Sequence, residues 1–369
     1  MRVLLTGGNG FIGSHIAEAL VAGGTEVLIV DRNGSWPAGP LPAGIEIMAG
    51  DLRDPSVCAT AVTGVDAVCH QAARVGLGVD FADAPGYVAD NDVGTVTLLS
   101  ALWDRSFRGR LVLAASMVAY GEGRYRCERH GTVPAGRRQP DDLDGGRFEP
   151  RCGVDGCDRF LVWERVPEDA PTDPRNVYAA TKVHQEHLCA LWAGEAGTTA
   201  VALRYHNVYG PRLPRDTPYA GVAAIFKSEV EAGRAPQVHE DGGQMRDFVH
   251  VRDVARANLA ALFAPDVAGG AYNVASGHPH SVGDMAAAIC SAAVSPGGTD
   301  SPGGTDSPGD TDSPGNRPLV PAVTGRWRLG DVRHIVASTD KAAQGLGFRA
   351  EIAFEEGMNE LAGPEPEPR

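Results

Sequence analysis

The chain has 369 residues, a formal net charge of −14 and seven cysteines. That length buries a large core and accommodates one large or two modest domains, while the acidic balance leaves no general basic field to attract nucleic acid or an anionic membrane. The sequence shows neither an apolar run of about 18 residues nor a charged-then-apolar leader, and an odd set of scattered cysteines is no secreted disulfide framework, so a cytoplasmic protein without a membrane span is expected.

The first expected element is a strand, Val3-Leu4-Leu5, followed by Thr6-Gly7-Gly8-Asn9-Gly10-Phe11-Ile12-Gly13 and a helix to Leu20. Strand, glycine turn and helix together form the setting in which backbone N–H groups and a helix N-terminus hold a pyrophosphate. The spacing is G-x-x-G-x-x-G, not G-x-G-x-x-G. Gly7 and Gly10 permit the tight turn, and Gly13 lets the helix pack on the strand; an ordinary glycine-rich turn would read the same. The next strand, Glu26 to Val30, ends at Asp31, whose carboxylate suits the ribose hydroxyls of an adenosine and repels a 2′-phosphate. This points to NAD over NADP, although the adjacent Arg32 suits such a phosphate. After a third strand, Ile45 to Met48, Asp51 either reaches an adenine edge or caps the helix before Pro55.

A polar helix, a strand over Ala67 to Ala73, a helix from Val93 to Trp103 and a strand over Leu111 to Ala115 continue the alternation. Such a pattern implies α/β architecture: a doubly wound parallel sheet with helices on both faces and a ligand at the carboxyl ends of the strands, where Ser116 lies. Farther on, Tyr178 and Lys182 stand four apart. On a helix that spacing places an ammonium beside a phenol and favours the phenolate, which makes Tyr178 a candidate base; a solvated helix face carries the same spacing.

Gly7-x-x-Gly10-x-x-Gly13, Asp31, Asn91, Ser116, Tyr178-x-x-x-Lys182, Arg204 to Arg212, Gln244 to Ala255 and Gly330 to His334, in that order, resemble the extended short-chain dehydrogenase/reductase family from residue 2 to about 360. The resemblance implies a Rossmann NAD-binding domain over residues 1–121 and 172–205, and a smaller C-terminal α/β region over 206–362 that binds a nucleotide sugar. By position it makes Ser116, Tyr178 and Lys182 the catalytic set. It assigns Gly7, Gly10, Phe11, Ile12, Gly13, Asp31, Asp51, Leu52, Ala72 and Asn91, with Tyr178 and Lys182, to the cofactor. The sugar nucleotide falls to Ser116, Met117, Asn207, Arg246 and Arg333; a surface salt bridge with Asp247 or Asp331 is the plainer reading of the two arginines. His206, where the family has an aromatic residue, reads as a packed core histidine.

In that family Tyr178 takes the proton from a sugar hydroxyl while hydride leaves for NAD. Dehydratases carry an acidic pair after the hydroxyl residue, and decarboxylases keep a Glu at its second position. Met117 and Val118 occupy those places here and transfer no protons, so a 4-epimerase is favoured over both. Alternatives are a UDP-hexose 4-epimerase and an NAD(P)H-dependent 4-ketoreductase. Helices near Val93–Trp103 and Tyr178–Trp192 match those through which family members pair, which implies a homodimer.

Two segments interrupt the resemblance. Residues 122–171 carry Cys127, His130, Cys152 and Cys157 in polar, Gly-rich sequence, a candidate Cys₃His zinc site or else three reduced thiols in a flexible lid. This insert, with Tyr219 to Phe226, resembles a bacterial subgroup of dTDP-L-rhamnose 4-epimerases, which make dTDP-6-deoxy-L-talose. Residues 295–316 repeat Ser-Pro-Gly-Gly-Thr-Asp and are expected to form a disordered loop, and 363–369 a frayed tail.

Overall fold

Short runs rich in Val, Leu, Ile and Ala become the strands of one sheet, as expected where helices cover both faces. In the computed structural model, which describes residues 1–76, 81–214, 221–293, 319–328 and 330–363, these are β1 (Arg2–Thr6), β2 (Glu26–Asp31), β3 (Ile45–Ala49), β4 (Ala67–His70), β5 (Leu111–Ser116), β6 (Ala200–Tyr205) and β7 (Gly270–Val274). The repeat at 295–316, Tyr219, Ala220 and the tail after Gly363 lie outside the described residues.

Every pairing in this sheet is parallel and the spatial order is β7-β6-β5-β4-β1-β2-β3. The order reverses between β1 and β4, so their carboxyl ends frame the crevice where a doubly wound fold takes its ligand. Leu5, Ile29 and Tyr205 face a core shared with α1 (Phe11–Ala22), while Leu4, Val30 and Leu113 face the opposite core with α2 (Pro55–Ala61) and α3 (Gly94–Asp104). The long α4 (Val177–Ala196) closes that second face, and α5 (Val251–Phe263) packs on the first. Among the described residues no helix is long and apolar enough to cross a membrane.

A boundary at residue 205 does not mark where the chain leaves the nucleotide sheet. β7 returns to it with the register Tyr272↔Leu203 and Val274↔Tyr205, and α5 packs against α1. Five residues flanked by glycine and polar sequence give no periodicity that would distinguish a strand from a loop.

Residues 124–164 hold a three-stranded antiparallel sheet, with Arg124–Cys127 between Gly131–Val133 and Val162–Glu164. Tyr125, Cys127, Val133, Cys152 and Leu161 form its small buried core. The insert is thus an ordered subdomain, not a loose lid.

Polar struts fix α4 against the sheet. The Arg204 guanidinium of β6 donates to Glu186 at 2.9 and 2.7 Å and to the Glu168 carbonyl at 3.1 Å, with the side chains of Arg204 and Glu186 only 7% and 10% exposed. Arg204→Ala strands a buried carboxylate and is expected to cost about 3–5 kcal/mol in urea denaturation; a loss under about 1 kcal/mol would contradict the strut.

Candidate active site

The glycine turn exists because backbone must approach backbone. Gly7 has φ +68°, and a Cβ there would lie 2.7 Å from the Ala72 nitrogen. A Cβ on Gly13 would lie 2.2 Å from the Gly7 oxygen, so only glycine lets α1 press against the turn. Gly10 stands at the helix N-cap without a capping side chain, and Phe11 and Ile12 open the first turn, where N–H groups lack intrahelical acceptors. The Ala72 N–H is taken by the Thr6 hydroxyl at 3.1 Å.

Asp31 ends β2 beside this turn, accepting from the Asn9 and Asn33 N–H groups at 3.1 and 3.0 Å. Asp51 does not cap α2; Asp54 does, accepting from Ser56 N–H at 2.8 Å. Hydrogen bonds from Arg53, then Arg32, hold the Asp51 carboxyl well below the usual range. Arg32 is bound between Asp51 and Asp90, which leaves it partnered rather than waiting for a 2′-phosphate. Leu52 is buried in the core under α3.

Asn91 ties the segment after β4 to α4. It is fully buried, and its amide is bound to Arg74 N–H, the Arg74 carbonyl and the Thr181 hydroxyl.

Asn176 caps α4 by accepting from Ala179 N–H at 2.8 Å, which sets Tyr178 in the first turn. Ser116, the last residue of β5, lies beside its phenol. Lys182 is 2% exposed, stands 6.0 Å from the centre of the Tyr178 ring and donates to the Ala114 carbonyl at 3.0 Å. The three residues expected to form the catalytic set therefore converge at the carboxyl end of β5.

Their electrostatics correct the sequence expectation. Burial pushes the Tyr178 phenol up to about 12, with the Ser116 hydrogen bond working against it. Burial also pushes the Lys182 ammonium down to about 8. At the phenol, desolvation outweighs the Ser116 hydrogen bond.

The substrate residues divide. Arg246 donates to the carbonyls of Met245, Val332 and Arg333, with no carboxylate among the described residues within salt-bridge reach. Its neighbour Asp247 instead receives Ser276 and Gly277. The Asn207 side-chain oxygen is buried without a partner. Arg333 is the reverse case: all its N–H groups go to Glu149, Glu240 and Asp241, and its side chain is 3% exposed. In this structure it sits in an ion-pair network whose partners do not include Asp331. Met117 is packed with Tyr120, Val166 and Ile335. His206 is a buried histidine, as expected, and burial pushes it down to about 4.

Sequence reading missed the partners that hold α4 in place. Thr181, Gln185 and Glu186 meet Asn91, Thr95 and Arg204. The available signal was their spacing with Lys182, which puts polar residues on the buried face of a helix.

Comparison with known proteins places this geometry. Residues 3–140 and 163–275 match the family described as NAD dependent epimerase/dehydratase. A Burkholderia thailandensis protein named dTDP-L-rhamnose 4-epimerase is 28% identical over 98% of this chain and 93% of its own length. A Corynebacterium glutamicum UDP-glucose 4-epimerase is 26% identical over 95% and 91%. The crystal structure of Thermus thermophilus UDP-glucose 4-epimerase complexed with NAD superposes with a TM-score of 0.72 at 31% identity, covering 98% of both chains.

The buried lysine gives a pH prediction. The unfolded chain holds that proton up to the ordinary value of 10.5 and the folded chain only up to about 8, so unfolding takes up a proton between these values. Stability from this group therefore rises with pH across that window and is constant below it. Lys182→Met removes the term, so its urea midpoint should compare best with the parent below pH 8, the gap shrinking by about 1–2 kcal/mol by about pH 10. A gap constant across the window would refute the buried ammonium.

Proposed function

Because the chain belongs to the NAD dependent epimerase/dehydratase family, we propose that it inverts C4 of a nucleotide sugar, interconverting dTDP-L-rhamnose and dTDP-6-deoxy-L-talose. One observation carries the reading: the Ser116 hydroxyl and Tyr178 phenol adjoin at the end of β5 over a buried Lys182, while the next two residues, Met117 and Val118, hold no acid or base. A site with one proton-transfer group suits reversible oxidation, not elimination.

The cofactor half fits NAD. A Cβ on Gly7 or Gly13 would fill the cradle, the α1 N-terminus suits a pyrophosphate, and Asp31 beside it suits a ribose without a 2′-phosphate. Bound there, NAD would supply a hydride acceptor for C4 and added positive charge in the site. Tyr178 would take the proton from the C4 hydroxyl and later return it. Ser116 holds the same oxygen. The unpaired Arg246 charge suits the pyrophosphate of the substrate, and the orphaned Asn207 oxygen a substrate donor.

In this reading the described residues of 206–362 outside α5 and β7 chiefly serve the sugar nucleotide, and the parallel sheet serves the cofactor. Exposed apolar residues, Val96 and Trp103 on α3 and Leu191 on α4, support a homodimer through these helices. Light scattering at micromolar concentration should give twice the chain mass, and a monomer mass would contradict the pairing.

A UDP-hexose is the second reading, supported by the names of two relatives. Incubation with a panel of UDP- and dTDP-sugars, followed by NMR of the C4 proton, should show inversion with the dTDP-deoxysugar and a drop of about 10²–10⁴-fold in Tyr178→Phe. Inversion of a UDP-hexose alone would replace the sugar assignment. No inversion with any sugar, or consumption of NADPH with a 4-keto sugar, would sink the epimerase reading.

A further inference from the structure

Four soft donors meet in the insert, apart from the C4 chemistry. The Cys127 sulfur lies 3.7 Å from His130 Nδ1 and 3.9 Å from the Cys157 sulfur, and the Cys152 sulfur lies 3.5 Å from the same His130 nitrogen. One ligand atom from each of the four residues falls within 4.8 Å of all the others. We infer that Cys127, His130, Cys152 and Cys157 form a structural zinc site that fastens the two arms of the insert together.

The distances match what a tetrahedral ion requires. Zinc bonds of about 2.3 Å to sulfur and about 2.0–2.1 Å to nitrogen place S–S edges at about 3.8 Å and S–N edges at about 3.5 Å. A disulfide would instead bring two sulfurs to about 2.05 Å, and all seven cysteines are free. Three thiolates and an imidazole select a soft or borderline ion over magnesium or calcium. Four protein ligands leave no open position, which marks the site as structural.

Local backbone builds both halves. Cys127 ends a strand and His130 precedes Gly131, whose φ of +71° turns the chain into the next strand. Cys152 and Cys157 flank a second turn, closed by Cys157 N–H to the Val154 carbonyl at 3.0 Å and containing Gly156 at φ +74°. Backbone N–H groups of Arg129 and His130 point at the Cys127 sulfur, and that of Val154 at the Cys152 sulfur.

The insert needs such a clip. Its buried core is five side chains, two of them ligands, too little apolar area to offset the ordering of some forty residues. The clip also has a purpose. The strand carrying Cys127 presents Tyr125, whose hydroxyl accepts the His334 N–H at 3.0 Å, and the segment before Cys152 presents Glu149 to Arg333 and His334. Joining the two arms holds residues 332–334, whose carbonyls in turn hold Arg246. The family match stops at 140 and resumes at 163, and Cys152 and Cys157 lie in that gap. The family match therefore does not account for the metal site.

Elemental analysis of the full-length protein, purified without chelator, tests this. About one zinc per chain is expected, falling to background in Cys152→Ser. Should that variant fail to fold, the parent stripped with a mercurial and chelator and refilled with cobalt(II) should show the visible bands of tetrahedral cobalt and a thiolate charge-transfer band. Thermal midpoint should drop on stripping and return with zinc. A Cys127–Cys157 disulfide by mass spectrometry, iron in place of zinc, or three alkylatable thiols with no metal taken up would each overturn the assignment.

Discussion

Seating α4 against the sheet through polar contacts is the constraint on which the site depends. Thr181, Lys182, Gln185 and Glu186 each find a partner, in Asn91, the Ala114 carbonyl, Thr95 and Arg204 respectively. An apolar face can slide by a fraction of a turn at modest cost, whereas a displaced buried ion or amide loses its partner outright. These four contacts therefore set the rotation and height of the helix. Tyr178 stands one turn above Lys182, and Ala114 lies two residues before Ser116, so the contact that buries the lysine also brings phenol to hydroxyl.

Such burial has an electrostatic consequence. A phenol pushed up to about 12 and an ammonium pushed down to about 8 both lean toward neutrality. The bare site is held in geometry but not in charge. In the proposed reaction, proton transfer at Tyr178 would therefore draw on added positive charge in the crevice.

Farther from the crevice, charge is used to fasten segments together. Arg333 is wrapped by Glu149, Glu240 and Asp241, and Glu122 receives its backbone N–H at 2.8 Å. Insert, middle region and C-terminal segment meet there, over residues about two hundred apart in sequence. Arg246, a short distance along, has carbonyls instead of carboxylates around it. Two arginines in similar motifs thus have opposite electrostatic states, one satisfied and one available.

Local features of the chain were enough to read the glycine turn, Asp31, the strand–helix alternation and the Tyr178/Lys182 spacing, because each is carried by neighbours within one or two turns. The same locality revealed two candidate ligand pairs, Cys127 with His130 and Cys152 with Cys157. Contacts between distant segments were not legible. Only the fold decided that β7 completes the sheet, that Asn91 is a strut, that Arg333 is consumed by carboxylates and that the two ligand pairs meet. Desolvation was equally hidden: sequence spacing promised a lowered phenol, but the environment that raises it is assembled from β5, α4 and Tyr87, and burial is a property of that assembly rather than of any stretch of residues.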